Sequence, residues 1–218
     1  MKFANLPVAT TLLKTCPKGA KHVYNILLEK PKKSNVLSKW ENKIPSDIPW
    51  DKIFLKTRYI HEVKLKWFQL RITYRILVTN TTLYEMRLRT NNLCCFCSAN
   101  RDSIYHYLWD CPVIQIFWEQ FVNLLKDKCI NCDRLQLSPT LVLFGEDNTN
   151  KTDNGFDFIL LHAKYFIYLN HIKNQLPSIQ GFIAHLENVQ QIDKYASRIN
   201  MSTGKYNKRW VSYESIFT

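Results

Sequence analysis

Cys94, Cys97, His106 and Cys111 form a C-x2-C-x8-H-x4-C array within one short window of the chain. Three thiolates and one imidazole are a donor set that zinc prefers, and four protein ligands close a tetrahedron with no open position for a substrate or an activated water. The array therefore predicts a structural metal site with the local fold built around it. Cys94-Cys95-Phe96-Cys97 is a tight turn able to aim two sulfurs at one ion, with Cys95 as an alternative to a neighbour. Asp102 or Ser103 is placed to cap a short helix that carries His106. Cys111 would point away from the imidazole's side of a continuing helix. Pro112 biases it out of helical geometry, lets the thiolate fold back, and makes a good first residue for the next helix. The competing explanation is reduced core cysteines beside a stray histidine, in a chain with seven Cys and six His. It leaves the short window and the proline unexplained. Cys129 and Cys132 repeat the two-residue gap without an evident downstream partner; they read as a surface loop pair, with a second metal site as the alternative.

The rest of the chain reads as helices joined by polar loops. Five glycines are too few for a turn-rich β fold of 218 residues, and the apolar residues recur mostly at helical spacing. Helices are expected over 20–29, ahead of the Pro31–Asn35 linker, and from Ser46, Pro49 and Trp50 onward. A longer one is expected from about Val63 to Val78, mostly buried, with Lys64, Arg71 and Arg75 in one cationic stripe. On it Trp67 reads as core, while Lys66 or Phe68 at the stripe's edge offers charge or a stacking face. Asn80 is expected to cap a short helix leading through Arg87 and Arg89 into the cysteine turn, with Arg101 on its far side. Ile114, Phe117, Trp118, Phe121, Leu124 and Leu125 form an apolar helical stripe, and Leu141–Phe144 reads as a short extended piece. A helix over 156–174 is apolar nearly all round, and Ser178 caps another. Lys205–Arg209 is a modest basic patch on the final stretch. The expected organisation is a basic helical segment (1–60), a zinc-binding domain (61–127), a linker (128–154) and a C-terminal helical segment (155–218). The fold class is mainly α: small helical domains around a zinc knuckle, with little or no sheet.

Charge divides at the array. Residues 1–93 hold 18 Lys and Arg against 6 Asp and Glu, whereas residues 94–218 hold 12 of each, so the whole net charge of +12 lies upstream. A lopsided basic half is the usual footprint of a polyanion partner, and a solvated basic surface is the alternative. An odd number of cysteines, spaced for metal, points to a reducing compartment, nucleus or cytoplasm. No membrane span is expected, because Asp157, His162 and Lys164 break the longest apolar stretch. Neither a Gly-rich phosphate loop nor a nucleophile elbow is present, so no enzymatic activity and no small-molecule substrate are expected.

From Leu65 to Gly145 the chain resembles the zinc-binding domain at the C-terminal end of LINE-type non-LTR retrotransposon reverse transcriptase polyproteins. The motifs that carry the likeness are Leu65-Lys66-Trp67-Phe68-Gln69, Tyr74-Arg75-Ile76-Leu77-Val78-Thr79-Asn80, Leu93-Cys94-Cys95-Phe96-Cys97, and Ser103-Ile104-Tyr105-His106-Tyr107-Leu108-Trp109-Asp110-Cys111-Pro112, followed by Phe117-Trp118 and Leu143-Phe144-Gly145. The chain departs from the family between the cysteines and the histidine, where it reads Ser98-Ala99-Asn100-Arg101-Asp102-Ser103. It also lacks the Asp-Asp pair of a polymerase active site. The resemblance implies an accessory domain that helps a reverse transcriptase hold RNA or DNA. Lys64, Arg71, Arg75, Arg87, Arg89 and Arg101 are the candidate phosphate contacts, and the polymerase core of the parent polyprotein is a possible partner. The competing class is a zinc-stapled protein interaction module.

Overall fold

The computed structural model describes residues 40, 43–44, 48–128, 135–146 and 153–217. The helix expected over 20–29, the 31–35 linker, Ser46, and the Cys129–Cys132 pair lie outside the described residues. Residues 41–218 form one compact unit. Among the described residues it is helical, with no strand beyond a single antiparallel bridge between Leu93 and Arg101. The mainly α expectation holds.

The helices are α1 (Trp50–Arg58), α2 (Val63–Thr73), α3 (Asn80–Glu85), α4 (Pro112–Lys128), α5 (Pro139–Phe144), α6 (Asn154–Lys173), α7 (Ile179–Ile199) and α8 (Thr203–Trp210). A π-helical turn, His106–Asp110, precedes α4, and a 3-10 segment, Val211–Phe217, follows α8. Four starts are set by side-chain caps. Thr79, Ser138, Asp153 and Ser178 each accept a hydrogen bond from a first-turn N–H, at 3.2, 3.1, 2.6 and 3.1 Å. Thr79, and not Asn80, is thus the cap of α3.

The stops are less conventional. α2 ends at Thr73 instead of running to Val78, because Arg75 adopts φ 55°, in the left-handed region. The N–H of Ile76 then donates to the Arg71 carbonyl at 2.9 Å and that of Arg75 to Ile72 at 2.8 Å, closing the helix in a Schellman motif. Arg87 (φ 60°) does the same for α3. Arg75 therefore leaves the expected cationic stripe and Ile76 is exposed. Gly145 (φ 72°) caps α5, so Leu141–Phe144 is a buried helix where an extended piece was expected. Lys205–Arg209 likewise belongs to an ordered helix, α8, whose Tyr206 and Trp210 are buried.

α6 is the axis of the unit. Ile159, Leu160, Ala163 and Ile167 are fully buried on it, and it packs against α2, α7, α8 and the π turn. α4 and α7, from either side of the 128–154 stretch, also pack together. Phe117, Phe121, Phe166 and Phe182, from α4, α6 and α7, form a ring cluster with centroids 5.8 to 6.3 Å apart; truncating one such ring typically costs about 3–5 kcal/mol. Gly155 lets the chain's end approach α6: a Cβ there would meet the Tyr213 ring at 2.5 Å and the Arg209 carbonyl at 2.7 Å. No helix among the described residues is long and apolar enough to cross a membrane.

Because Arg87 is exposed and left-handed, Arg87→Gly is expected to be neutral or to stabilise by up to ~1 kcal/mol, where glycine in a helix interior costs about that much. Urea unfolding followed by far-UV circular dichroism checks it. A loss larger than ~1 kcal/mol would show that the side chain, and not the backbone, matters there.

Candidate metal centre

The cysteine turn is closed by its own backbone. Cys94 N–H donates to the Asn100 carbonyl at 2.8 Å, Ser98 N–H donates to the Cys94 carbonyl at 2.9 Å, and Ser98 takes φ 53° to let the chain reverse. The Leu93–Arg101 bridge then returns the chain alongside itself. Ser103 Oγ accepts from His106 N–H at 3.1 Å and so caps the histidine's turn. That turn is wound one residue wider than an α-helix, with Cys111 N–H on the His106 carbonyl at 2.8 Å. Cys111 leaves it in extended geometry (φ −71°, ψ 128°), as Pro112 demands, and α4 starts at the proline.

These devices bring Cys94, Cys97, His106 and Cys111 into one cluster, with all four donor atoms within 4.8 Å of one another. Cys97 Sγ and His106 Nε2 are 3.3 Å apart. Around a tetrahedral zinc, with Zn–S about 2.3 Å and Zn–N about 2.0 Å, neighbouring donors lie roughly 3.5–3.8 Å apart. The cluster could therefore hold a metal ion with little movement. Cys94, His106 and Cys111 are buried and Cys97 is half-buried. His106 Nδ1 faces Asp110 Oδ2 at 3.8 Å, on the ring's far side from the cluster, as an outer carboxylate that orients an imidazole ligand does.

The sulfurs are electrostatically prepared. A hydrogen bond with Cys111, then burial, pushes the Cys94 thiol far above its ordinary range, while the same bond leads in holding Cys111 below its own. Backbone N–H groups of Val113 and Ile114, at the start of α4, reach the Cys111 sulfur, and those of Phe96 and Cys97 reach Cys94. A cation held in the centre would displace the thiol protons, because the thiolate is the metal-binding form.

Cys95 turns away from the cluster. Its Sγ donates to the His171 carbonyl at 3.6 Å, and burial pushes its thiol up to about 12. The anchor behind it is a residue whose role was not legible as such. Asp102, 1% exposed, accepts from Asn80 N–H at 2.6 Å and from His171 Nε2 at 3.0 Å. Tyr107 stacks on the His171 ring at 4.2 Å, Phe96 meets its edge at 5.6 Å, and Asn80 Nδ2 donates to the Leu93 carbonyl at 2.9 Å. The metal loop is thereby fastened to α3 and α6 at once. Asp102 was a candidate cap in the sequence; its partner lies 69 residues away, and no local pattern signals it.

The candidate phosphate contacts divide into groups. Lys64 and Arg71 are exposed on α2, with Lys64 Nζ 5.6 Å from the Tyr165 ring centroid. Trp67, expected in the core, is 58% exposed between them, and Phe68, the expected stacking face, is buried against Tyr165 and Tyr168. Arg75 and Arg87 serve as left-handed helix stops. Arg89 donates to Asn174 Oδ1 at 3.2 Å, and Arg101 is paired with Glu85 at 2.8 Å.

No protein-family model matches the chain. Among curated proteins it is similar to one described as an uncharacterized protein of Plasmodium falciparum (isolate 3D7), 29% identical over 113 residues. The match takes in 48% of this chain and 7% of that protein's length.

Asp102→Ala strands the Asn80 N–H and the His171 ring in the interior and is expected to cost about 3 kcal/mol or more. Cys95→Ser is expected to cost under ~1.5 kcal/mol and to leave metal stoichiometry unchanged. Thermal melts and elemental analysis of the two variants check both; loss of metal in Cys95→Ser would reassign the ligand set.

Proposed function

We propose that the protein is a zinc-stapled accessory domain that grips RNA or DNA chiefly through the sugar-phosphate backbone, of the kind found at the C-terminal end of LINE-type reverse transcriptase polyproteins. The reading of the ion as zinc rests on the donor chemistry: three thiolates and an imidazole, closed, buried and matched to tetrahedral spacing. Thiolate ligands of this kind fit a reducing compartment, nucleus or cytoplasm. In this reading the domain has no polymerase chemistry of its own and serves a polymerase core carried elsewhere in the parent polyprotein.

The observation that carries the nucleic-acid reading is the outer face of α2. Lys64, Trp67 and Arg71 follow one another at three- and four-residue spacing, all exposed, with Tyr165 beneath Lys64. An exposed indole between two cations is a stacking platform for a base with positive charge for the phosphates on either side. Because α2 is pinned to α6 by its buried face, the platform is ordered before any strand arrives, which lowers the entropic cost of binding. Arg101 contributes less in this reading, since Glu85 already neutralises it.

A second reading has its own observation. Ile76, Val78, Tyr84, Met86 and Leu88 are all exposed in the short stretch between α2 and the cysteine turn, and an apolar surface of this kind also suits a protein partner such as the polymerase core. Salt separates the two, because apolar docking is indifferent to counter-ions.

Purified protein is expected to contain one zinc per chain by elemental analysis; chelation, or Cys97→Ser, is expected to remove both the ion and most of the thermal stability. Undiminished stability after complete chelation would contradict a structural role. Two phosphate contacts, Lys64 and Arg71, predict a roughly 7–12-fold loss of affinity for a short oligonucleotide between 50 and 200 mM salt. Arg71→Gln is expected to flatten that slope by nearly one contact. Trp67→Ala is expected to cost about 1–3 kcal/mol at unchanged slope. Fluorescence anisotropy across a salt series measures all three, and a salt-independent constant sinks the reading in favour of protein docking.

A further inference from the structure

On the other side of α2 lies an open-mouthed cavity of about 540 Å³, lined by α1, α2, α6 and α8 and by the turn after α5. That size is ordinary for a small-molecule site. Its walls are of two kinds. Leu65, Phe144, Phe158 and Leu161 make one apolar, and Lys56, Lys164, Lys205, Lys208 and Arg209 make the other cationic.

Lys164 is the unusual member. It is 2% exposed, in the middle of the most apolar helix, and its Nζ donates to Gln69 Oε1 at 2.6 Å and to the Leu143 carbonyl at 3.4 Å. Among the described residues no carboxylate lies within ion-pair distance of it. Burying an ammonium on neutral acceptors is costly, and natural cores rarely keep one without a reason. The carboxylates that line the cavity are otherwise engaged: Asp157 takes Lys56 at 3.0 Å, alongside Glu146 at 2.8 Å, and Glu62 faces His162 at 3.5 Å. Arg209 is held by Asp193 at 2.9 Å, while Lys205 and Lys208 stand exposed on α8. The cavity thus has a buried cation within, two more cations on the mouth helix, and an apolar wall beside them.

The geometry points to a site for a phosphate monoester with an apolar or planar body, the chemistry shared by a free nucleoside monophosphate and the 5′-phosphorylated end of a strand. The phosphate lies between Lys164 and the α8 lysines, and the body rests on Leu161 beside the Phe158 ring, which the Arg209 guanidinium covers at 4.4 Å. Burial, opposed by Asp157 and reinforced by Lys56, lowers Lys164 to about 7. An incoming anion reverses that shift, so binding at neutral pH takes up a proton, on the order of half of one per site.

Isothermal titration calorimetry of the zinc-loaded full chain, with adenosine monophosphate as probe and adenosine as control, tests the assignment. Saturable one-to-one binding of the monophosphate but not of adenosine is expected. Heats that depend on the buffer's ionisation enthalpy are expected to report the proton uptake. Lys164→Met, which keeps the side chain's volume, is expected to weaken binding at least tenfold, and Lys205→Ala with Lys208→Ala several-fold. A 5′-phosphorylated oligothymidylate that competes better than its 5′-hydroxyl form identifies a strand end, and equal competition identifies a free nucleotide; both support the site. Absence of saturable monophosphate binding overturns it, and so does undiminished affinity in Lys164→Met. Should Lys164→Met not fold, unchanged affinity in the α8 double variant, whose substitutions are on the surface, overturns it equally. Salt-dependent binding of the hydroxyl-ended strand is the separate property of the outer face of α2 and survives either result.

Discussion

The buried carboxylate of Asp102 is the contact on which the rest of the arrangement depends. A metal ion held by this cluster would organise only the chain that supplies its ligands, here 94–111. Asp102 lies inside that stretch and spends its oxygens outside it, on the first N–H of α3 and on His171 near the end of α6. Its burial is complete, so the contact has little competition from water and its loss leaves donors stranded. The cysteine turn, α3 and the central helix are therefore fastened together. The residues displayed around them hold their positions because of a hydrogen-bond hub that touches no ligand.

What was legible in the sequence was chemistry that acts over a few residues. Ligand spacing, the bias that Pro112 imposes on Cys111, and Ser178 as a cap are local rules, and the structure follows each of them. Helix ends were harder to read, and for one physical reason. With five glycines in the chain, four helix-terminal left-handed positions fall to Arg75, Arg87, Asn174 and Met201. Three of these residues, Arg75, Arg87 and Met201, carry no stop signal, so α2 looked longer than it is. Leu141–Phe144 was misread although Ser138, Pro139 and Gly145 bracket it with start and stop residues. An apolar run of four fits a buried strand and a buried helical turn equally, and only the flanking residues arbitrate. Trp67 and Phe68 exchanged places for a tertiary reason: α6 offers Tyr165 and Tyr168 to one of two adjacent aromatics, and the helix rotates to give it Phe68. The Asp102–His171 hub was beyond reach, because nothing in either segment names the other.

Among the described residues, the basic side chains on either side of the cysteine turn are only partly available to a partner. Arg101 and Lys56 are neutralised by acids, Arg89 is turned onto Asn174, and Arg75 and Arg87 are placed by backbone geometry. Formal charge thus overstates the reach of a surface, since a paired cation offers a phosphate little that it does not already give its carboxylate. Among the described candidates, exposure points to α2, where Lys64 and Arg71 flank an indole that the core does not need. A count of charges along the sequence does not tell which of the described cations face solvent; packing decides that.

α2 joins its exposed cationic face and the cavity wall by its register. Residues 64, 67 and 71 form its outer face, and residues 65 and 69 turn inward, Leu65 to the cavity wall and Gln69 to the amino group of Lys164. A helix offers these two sets on opposite sides because three- and four-residue steps return to one face while a single step moves about 100° around the axis. Gln69 also donates to the Leu143 carbonyl at 2.9 Å, so the same side chain that steadies the buried lysine fixes the rotation of α2 against α5. The presentation of Trp67 to solvent and the solvation of Lys164 are therefore set by one buried amide. A change that rotates α2 to bury the indole would also take the Gln69 oxygen away from Lys164.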